Sequence, residues 1–214
     1  MNIQLYYHPF TCAMAPYITL TEASAEFEVR TINLRRQEHR SPEFLKINPK
    51  HKVPVLIVDG EILTENVAMH LWISRAFPDA GILPSQAWEQ AQAVSILAWC
   101  SSGIHPFLSR INLPVKVSDV DGTSESVVRL ASEALNECFA FADELLAGSE
   151  YFFDNFSAPD AHFFWCTRRA TQLNVDPSPY PNVTAHFERM KARPSVQKLL
   201  AFEKETIEAF KKMA

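Results

Sequence analysis

The sequence predicts an α/β domain over residues 1–78, a linker over 79–85 and an all-α helical domain over 86–214. Three observations predict this. Short β-branched or aromatic runs alternate with helical patterns as far as Phe77. The next few residues hold Pro78, Pro84 and the pair Ala80-Gly81, which break both patterns. No convincing strand follows them.

The elements come in a defined order. Ile3 to Tyr7 is a strand, broken by His8-Pro9-Phe10-Thr11. Cys12 to Ser24 is compatible with a helix, with Pro16 near its first turn, where proline is tolerated. Phe27 to Leu34 alternates as a half-buried strand, and Arg35 to Arg40 is a charged loop. Ser41-Pro42-Glu43 starts a short helix with a cap residue, a first-turn proline and an acid, and it ends near Ile47. Val55 to Val58 is an apolar run that reads as a buried strand. Asp59-Gly60 signals a hairpin, and Glu61 to Leu63 returns antiparallel. Thr64 is a cap, and a helix runs from Glu65 to Phe77. The order βαβ, α, ββα is that of a thioredoxin-like domain.

Beyond the linker, Trp88 to Ile111 reads as one helix, Leu113 to Thr123 as a loop and Ser124 to Leu146 as a long amphipathic helix. Ser157-Ala158-Pro159-Asp160 has the form of a capping box opening an apolar helix to Leu173. Two further helices, Asn182 to Arg193 and Val196 to Lys211, flank Pro194.

Composition narrows the function. Apolar residues make up 47% and charged residues 21%, a globular balance. A net charge of -5 argues against nucleic acid, which needs a basic face. No apolar run is long enough for a membrane span, and no secretory signal pattern opens the chain. The four cysteines lack framework or C-x-x-C spacing and read as reduced thiols, so a cytoplasmic location is expected. His39, His51, His70, His162 and His186 show no metal-ligand spacing, and no metal is expected.

The chemistry concentrates in two places. Cys12 follows a strand and a turn at the expected start of a helix. Helix N–H groups and the dipole would favour its thiolate, so a lowered pKa and exchange with a disulfide at Cys12 are expected. The alternative is an inert, buried small residue. Around Val53-Pro54 the bond is open to the cis form, which would turn the Val53 peptide outward to pair with an extended peptide. Glu65 and Asn66 would then offer a carboxylate to an amine and helix N–H groups to a carboxylate. A short peptide carrying both charges fits this arrangement.

Val53-Pro54-Val55-Leu56, followed by Leu63-Thr64-Glu65-Asn66-Val67-Ala68, resembles the glutathione-binding core of the cytosolic glutathione S-transferases. Val53-Pro54 matches that family's cis-proline, and Glu65-Asn66 its acidic-plus-Ser/Asn pair. Tyr7 to Pro16 is similar to the start of the bacterial beta class, in which a Cys contacts the glutathione sulfur, and Cys12 matches it. Ala13 stands where that class often has Ser. His105 matches a beta-class His that reaches the sulfur site, with Pro106 in place of a following Lys.

The resemblance implies that Cys12 and His105 are catalytic. It implies that the Val53 backbone beside Pro54 pairs with the cysteinyl part of glutathione. Lys52 would reach the glycyl carboxylate, helped by Arg35 or Arg36, and Glu65 and Asn66 would take the γ-glutamyl end. Tyr7 and Thr11 are the other groups near the sulfur. His8 is an alternative base, although a surface loop suits it better. Phe107, Phe164 and Trp165 are possible walls of a second, hydrophobic site. The implied activity is conjugation of glutathione thiolate to a hydrophobic electrophile by a homodimer. The alternatives are glutathione-dependent disulfide reduction and a non-catalytic glutathione-fold binding or stress-response protein.

Overall fold

Ile3, Leu5 and Tyr7 alternate with Gln4 and Tyr6, and this alternation becomes strand β1 (Ile3–Tyr7), with its odd residues buried. In the computed structural model, which describes residues 1–213, β1 is the inner strand of a mixed four-stranded sheet ordered β2-β1-β3-β4. Strand β2 (Glu28–Thr31) runs parallel to β1, with Leu5 opposite Val29. Strand β3 (Val55–Val58) runs antiparallel on the other side, with Leu5 opposite Leu56. The Asp59-Gly60 turn returns the chain as β4 (Glu61–Thr64), with Leu56 opposite Leu63. Both turn residues take positive φ, 50° and 92°, as a primed hairpin requires.

Helix α1 (Met14–Glu22) is buried from Met14 to Leu20, which explains its weak amphipathic pattern in the sequence. Helix α2 (Pro42–Ile47) starts as predicted: the Ser41 hydroxyl accepts the Phe44 N–H at 3.2 Å. Helix α3 (Asn66–Ala76) packs on α1. Thr64 is the last residue of β4 rather than a cap, and Glu65 precedes the helix rather than lying in its first turn.

Packing divides the chain into Met1–Ser85 with the segment from Lys191 onward, and Gln86–Met190. Chain order groups residues 86–214 in one domain. The last helix, α9 (Pro194–Lys212), instead joins the first unit because its inner face is built for it. Phe202 meets Tyr7 and Tyr17, Phe210 stacks on His8 at 5.7 Å, and Arg193 pairs with Glu22 at 2.8 Å.

The second unit is helical. The predicted Trp88 to Ile111 helix is in fact α4 (Ala87–Trp99), a π-turn (Cys100–Ile104) and α5 (His105–Asn112). Pro106 explains the break, because it has no N–H and its ring crowds the preceding turn. Helix α6 (Ser124–Leu145) buries Leu135 and Phe139. Helix α7 (Ala158–Gln172) is almost wholly buried and carries the predicted capping box. Asp160 accepts the Ser157 N–H and hydroxyl at 2.8 Å, the Phe152 N–H at 3.1 Å, and bonds His186 at 3.0 Å. Helix α8 (Pro181–Ala192) begins on Asp143, whose carboxylate accepts the Asn182 and Val183 N–H groups.

Candidate active site

The site is built from the loops at one edge of the first unit's sheet. The turn between β1 and α1 carries Cys12. Phe10 adopts φ 65°, the Thr11 hydroxyl donates to the His8 carbonyl at 2.7 Å, and the Met14 N–H bonds the Thr11 carbonyl at 3.1 Å. The Val53-Pro54 bond is cis, and the Val53 carbonyl lies 4.0 Å from Cys12 Sγ, at the long limit of an S–H···O bond. Among the described residues no protein acceptor bonds the Val53 N–H. Asn48 shapes the loop before it: its amide donates to the Lys52 carbonyl at 2.8 Å and accepts the Lys50 N–H at 3.1 Å.

Asn66, the first residue of α3, is buried, and its amide donates to the Cys12 carbonyl at 3.1 Å. The structure thus brings Cys12, Val53, Pro54 and Asn66 together. Glu65 is exposed at the same edge with φ 74° and ψ 125°, a conformation that L side chains rarely adopt. Its carboxylate is held by Lys50, whose ammonium also reaches the Thr64 hydroxyl at 2.9 Å.

One expectation is corrected. Cys12 is not poised as a thiolate: burial pushes its thiol up to about 12, an effect only partly offset by hydrogen bonds and Lys52. The reason is geometric. Helix α1 begins at Met14, and the N–H groups of Met14 and Ala15 bond the carbonyls of Thr11 and Cys12 instead of pointing at the sulfur.

The other predicted residues fall as follows. Tyr7 is fully buried, and its hydroxyl donates to Glu203 at 2.8 Å within the core of the first unit. Thr11 is half-buried, with its hydroxyl turned back to His8. Lys52 and Arg35 are exposed on neighbouring loops. His8, expected on a surface loop, is half-buried against Phe210 and bonds the Ile32 carbonyl at 2.8 Å, and burial lowers its pKa. In the second unit His105 opens α5, edge-on to Trp165 at 4.6 Å. Phe164 and Trp165 are buried in that unit's core, so they form packing rather than an open wall. Phe107 is half-buried beneath the Arg110 guanidinium.

Sequence reasoning missed Lys50, Asn48 and Glu203. Only Glu203 left a signal: it is a charged residue at helical spacing from the apolar Val196 and Leu199 of α9. Among the described residues no group of three or more His, Cys, Asp or Glu is placed to hold a metal ion. No helix among them is long and apolar enough to cross a membrane. None of the four cysteines is in a disulfide.

With this geometry in place, the comparisons with known proteins have a structural meaning. Residues 1–75 match the glutathione S-transferase N-terminal domain, and residues 101–194 match the glutathione S-transferase C-terminal domain. The glutathione S-transferase GstA of Escherichia coli O157:H7 is 26% identical over 205 residues, covering 94% of this chain and 98% of that protein. A glutathione transferase homologue from Sulfitobacter, solved with bound glutathione, is 25% identical with a TM-score of 0.87, covering 93% of this chain and 97% of that one. The bacterial beta class glutathione S-transferase of Sphingomonas chungbukensis is 30% identical with a TM-score of 0.81, over 94% of this chain and 98% of that one. The thioredoxin-like sheet, the helical unit and likeness along nearly the whole length agree, and the chain belongs to the glutathione S-transferase family of enzymes.

Proposed function

We propose that this enzyme binds glutathione at the Val53–Pro54 edge and conjugates it to hydrophobic electrophiles. The observation that carries the reading is the Val53 peptide, its N–H unmatched among the described residues, set beside Cys12 and the Asn66 start of α3. An extended peptide pairs with such an edge through main-chain hydrogen bonds. Glu65 takes the ammonium of the γ-glutamyl group and displaces Lys50, whose exposed ion pair is worth at most about 1 kcal/mol. The helix start at Asn66 faces the γ-glutamyl carboxylate, and Lys52, with Arg35, serves the glycyl carboxylate.

Cys12 stays protonated in this scheme. Its S–H donates to the glutathione sulfur, which favours the glutathione thiolate. That thiolate attacks the electrophilic carbon, a carbon–sulfur bond forms, and the leaving group departs with its electron pair. A buried thiol of high pKa is a poor partner for disulfide exchange. Conjugation is therefore preferred over a disulfide reductase that works through Cys12. The resemblance alone assigns His105 a proton-accepting role, and His105→Ala tests it separately.

Retention on glutathione-agarose, elution with free glutathione and turnover of an aryl halide form the test. A protein that passes through the resin and turns over no electrophile would overturn the reading. We also propose a homodimer, supported by exposed Trp88, Leu130, Phe141 and Leu145 on α4 and α6. Sedimentation that finds only monomer at micromolar concentration would refute it.

A further inference from the structure

Lys50 lies where the γ-glutamyl ammonium is to go. Its own ammonium touches the Glu65 carboxylate and donates to the Thr64 hydroxyl at 2.9 Å. Before any ligand arrives, Glu65 is thus already paired with an amine, and that amine belongs to the same chain.

The loop keeps this ammonium close. Asn48 is buried, and its side chain accepts the Lys50 N–H at 3.1 Å and donates to the Lys52 carbonyl at 2.8 Å. The His51 N–H bonds the Asn48 carbonyl at 3.0 Å. The backbone that carries Lys50 is therefore held, while the side chains of Lys50 and Glu65 are both more than half exposed. A cation on a short tether acts as an intramolecular ligand at high effective concentration. Because the pair is exposed, it opens without disturbing the core and at a small free-energy cost.

We propose that Lys50 is a specificity-determining residue: its ammonium occupies the amino-group subsite at Glu65 in the free enzyme, and a ligand's ammonium has to displace it. The inference rests on the glutathione reading, in which Glu65 receives the γ-glutamyl ammonium. It adds a cost that falls only on ligands with a free amino group. A thiol peptide without that group leaves Lys50 on Glu65 and meets no competitor. Lys50 therefore narrows the preference for glutathione over analogues whose amine is blocked or absent. The sign of the effect is diagnostic. Removing a cation beside an anionic ligand ordinarily weakens binding, whereas removing this one should tighten the binding of glutathione.

Calorimetry with glutathione and with its desamino analogue, glutaryl-cysteinyl-glycine, tests this on wild type, Lys50→Met, Lys50→Arg and Lys46→Met. In Lys50→Met the Kd for glutathione should fall about two- to fivefold, the range set by an exposed ion pair. The Kd for the desamino analogue should not fall, because that ligand has no ammonium to place on Glu65. Lys50→Arg keeps a cation on the tether, so glutathione should bind it no more tightly than wild type. Lys46→Met removes an exposed charge from α2 and should not tighten glutathione binding either.

Glutathione binding that is unchanged or weaker in Lys50→Met overturns the proposal, and so does equal tightening of both ligands. Equal tightening of glutathione in Lys46→Met would reduce the effect to net charge and overturn it too. If none of these proteins binds either ligand, the glutathione reading falls and this inference with it. If wild type binds glutathione and Lys50→Met binds it no better, this inference falls alone.

Discussion

The thiol of Cys12 should be among the slowest in the protein to alkylate. Burial moves it from an ordinary 9.0 up to about 12. At pH 8 an ordinary thiol is then about 10% thiolate and Cys12 about 0.01%, a thousandfold difference in the reactive form. Pulsed iodoacetamide labelling from pH 7 to pH 11, quenched and mapped by peptide, reads this directly, with free glutathione as the reference. The Cys12 rate should climb about tenfold per pH unit with no plateau below pH 11, because the thiolate fraction does so. A plateau below pH 9 would show a populated thiolate and refute the assignment of Cys12 as an S–H donor. The same property affects stability. Below pH 9 the thiol is protonated whether the chain is folded or not, so it contributes nothing. Between pH 9 and 12 the unfolded chain releases this proton while the folded one keeps it, so stability falls with rising pH, by about 4 kcal/mol at the upper end. Mixed-disulfide formation at Cys12 with oxidised glutathione should accordingly be slow at neutral pH, and intact-mass analysis would show it.

Perturbations at three other positions test separate parts of the structure. Glu65→Gln should weaken glutathione binding by roughly 1.5–3 kcal/mol by calorimetry, the worth of a charged hydrogen bond. Glu65→Gly should lose that affinity too yet unfold at higher denaturant, because φ 74° carries a strain of about 1 kcal/mol that glycine does not feel. His70 is fully buried, bonds the Thr19 hydroxyl at 3.2 Å, and is lowered from 6.5 to about 3 by burial. Above pH 6.5 it is neutral in both states. As pH falls from 6.5 to 3 the unfolded chain takes up a proton that the folded one cannot, so stability drops by up to about 5 kcal/mol. Denaturant melts across that range should show a loss that His70→Phe reduces. Gly103→Ala places a Cβ 2.4 Å from the Trp99 ring within the π-turn, and overpacking of this kind should destabilise by about 1–3 kcal/mol. Unchanged thermal unfolding would show that Trp99 moves aside freely.

Much of the fold was readable because its signals are local. The Ser41-Pro42-Glu43 start, the Asp59-Gly60 hairpin and the Ser157 to Asp160 capping box each act over four residues or fewer, and each is seen where it was expected. The break in the Trp88 to Ile111 helix was also within reach, since Pro106 stands inside it. The assignment of α9 to the first unit was not. Its partners Tyr7, His8, Tyr17 and Glu22 lie more than 170 residues earlier, and periodicity reports only that a helix has an inner face, not what covers it.

The ionisation of Cys12 marks the same boundary at the site. Its position after a strand and before a helix suggested exposed N–H groups and a lowered pKa. Whether those groups face the sulfur depends on backbone angles over residues 10–13, and composition there leaves several conformations open. One of those angles, the positive φ of Phe10, is supported by a carboxylate on α9. With the turn in that form, the N–H groups of Met14 and Ala15 close onto the turn's own carbonyls, and the sulfur is left with burial as its largest influence. The residue type that allows thiol chemistry is local, but the protonation state is set by tertiary structure.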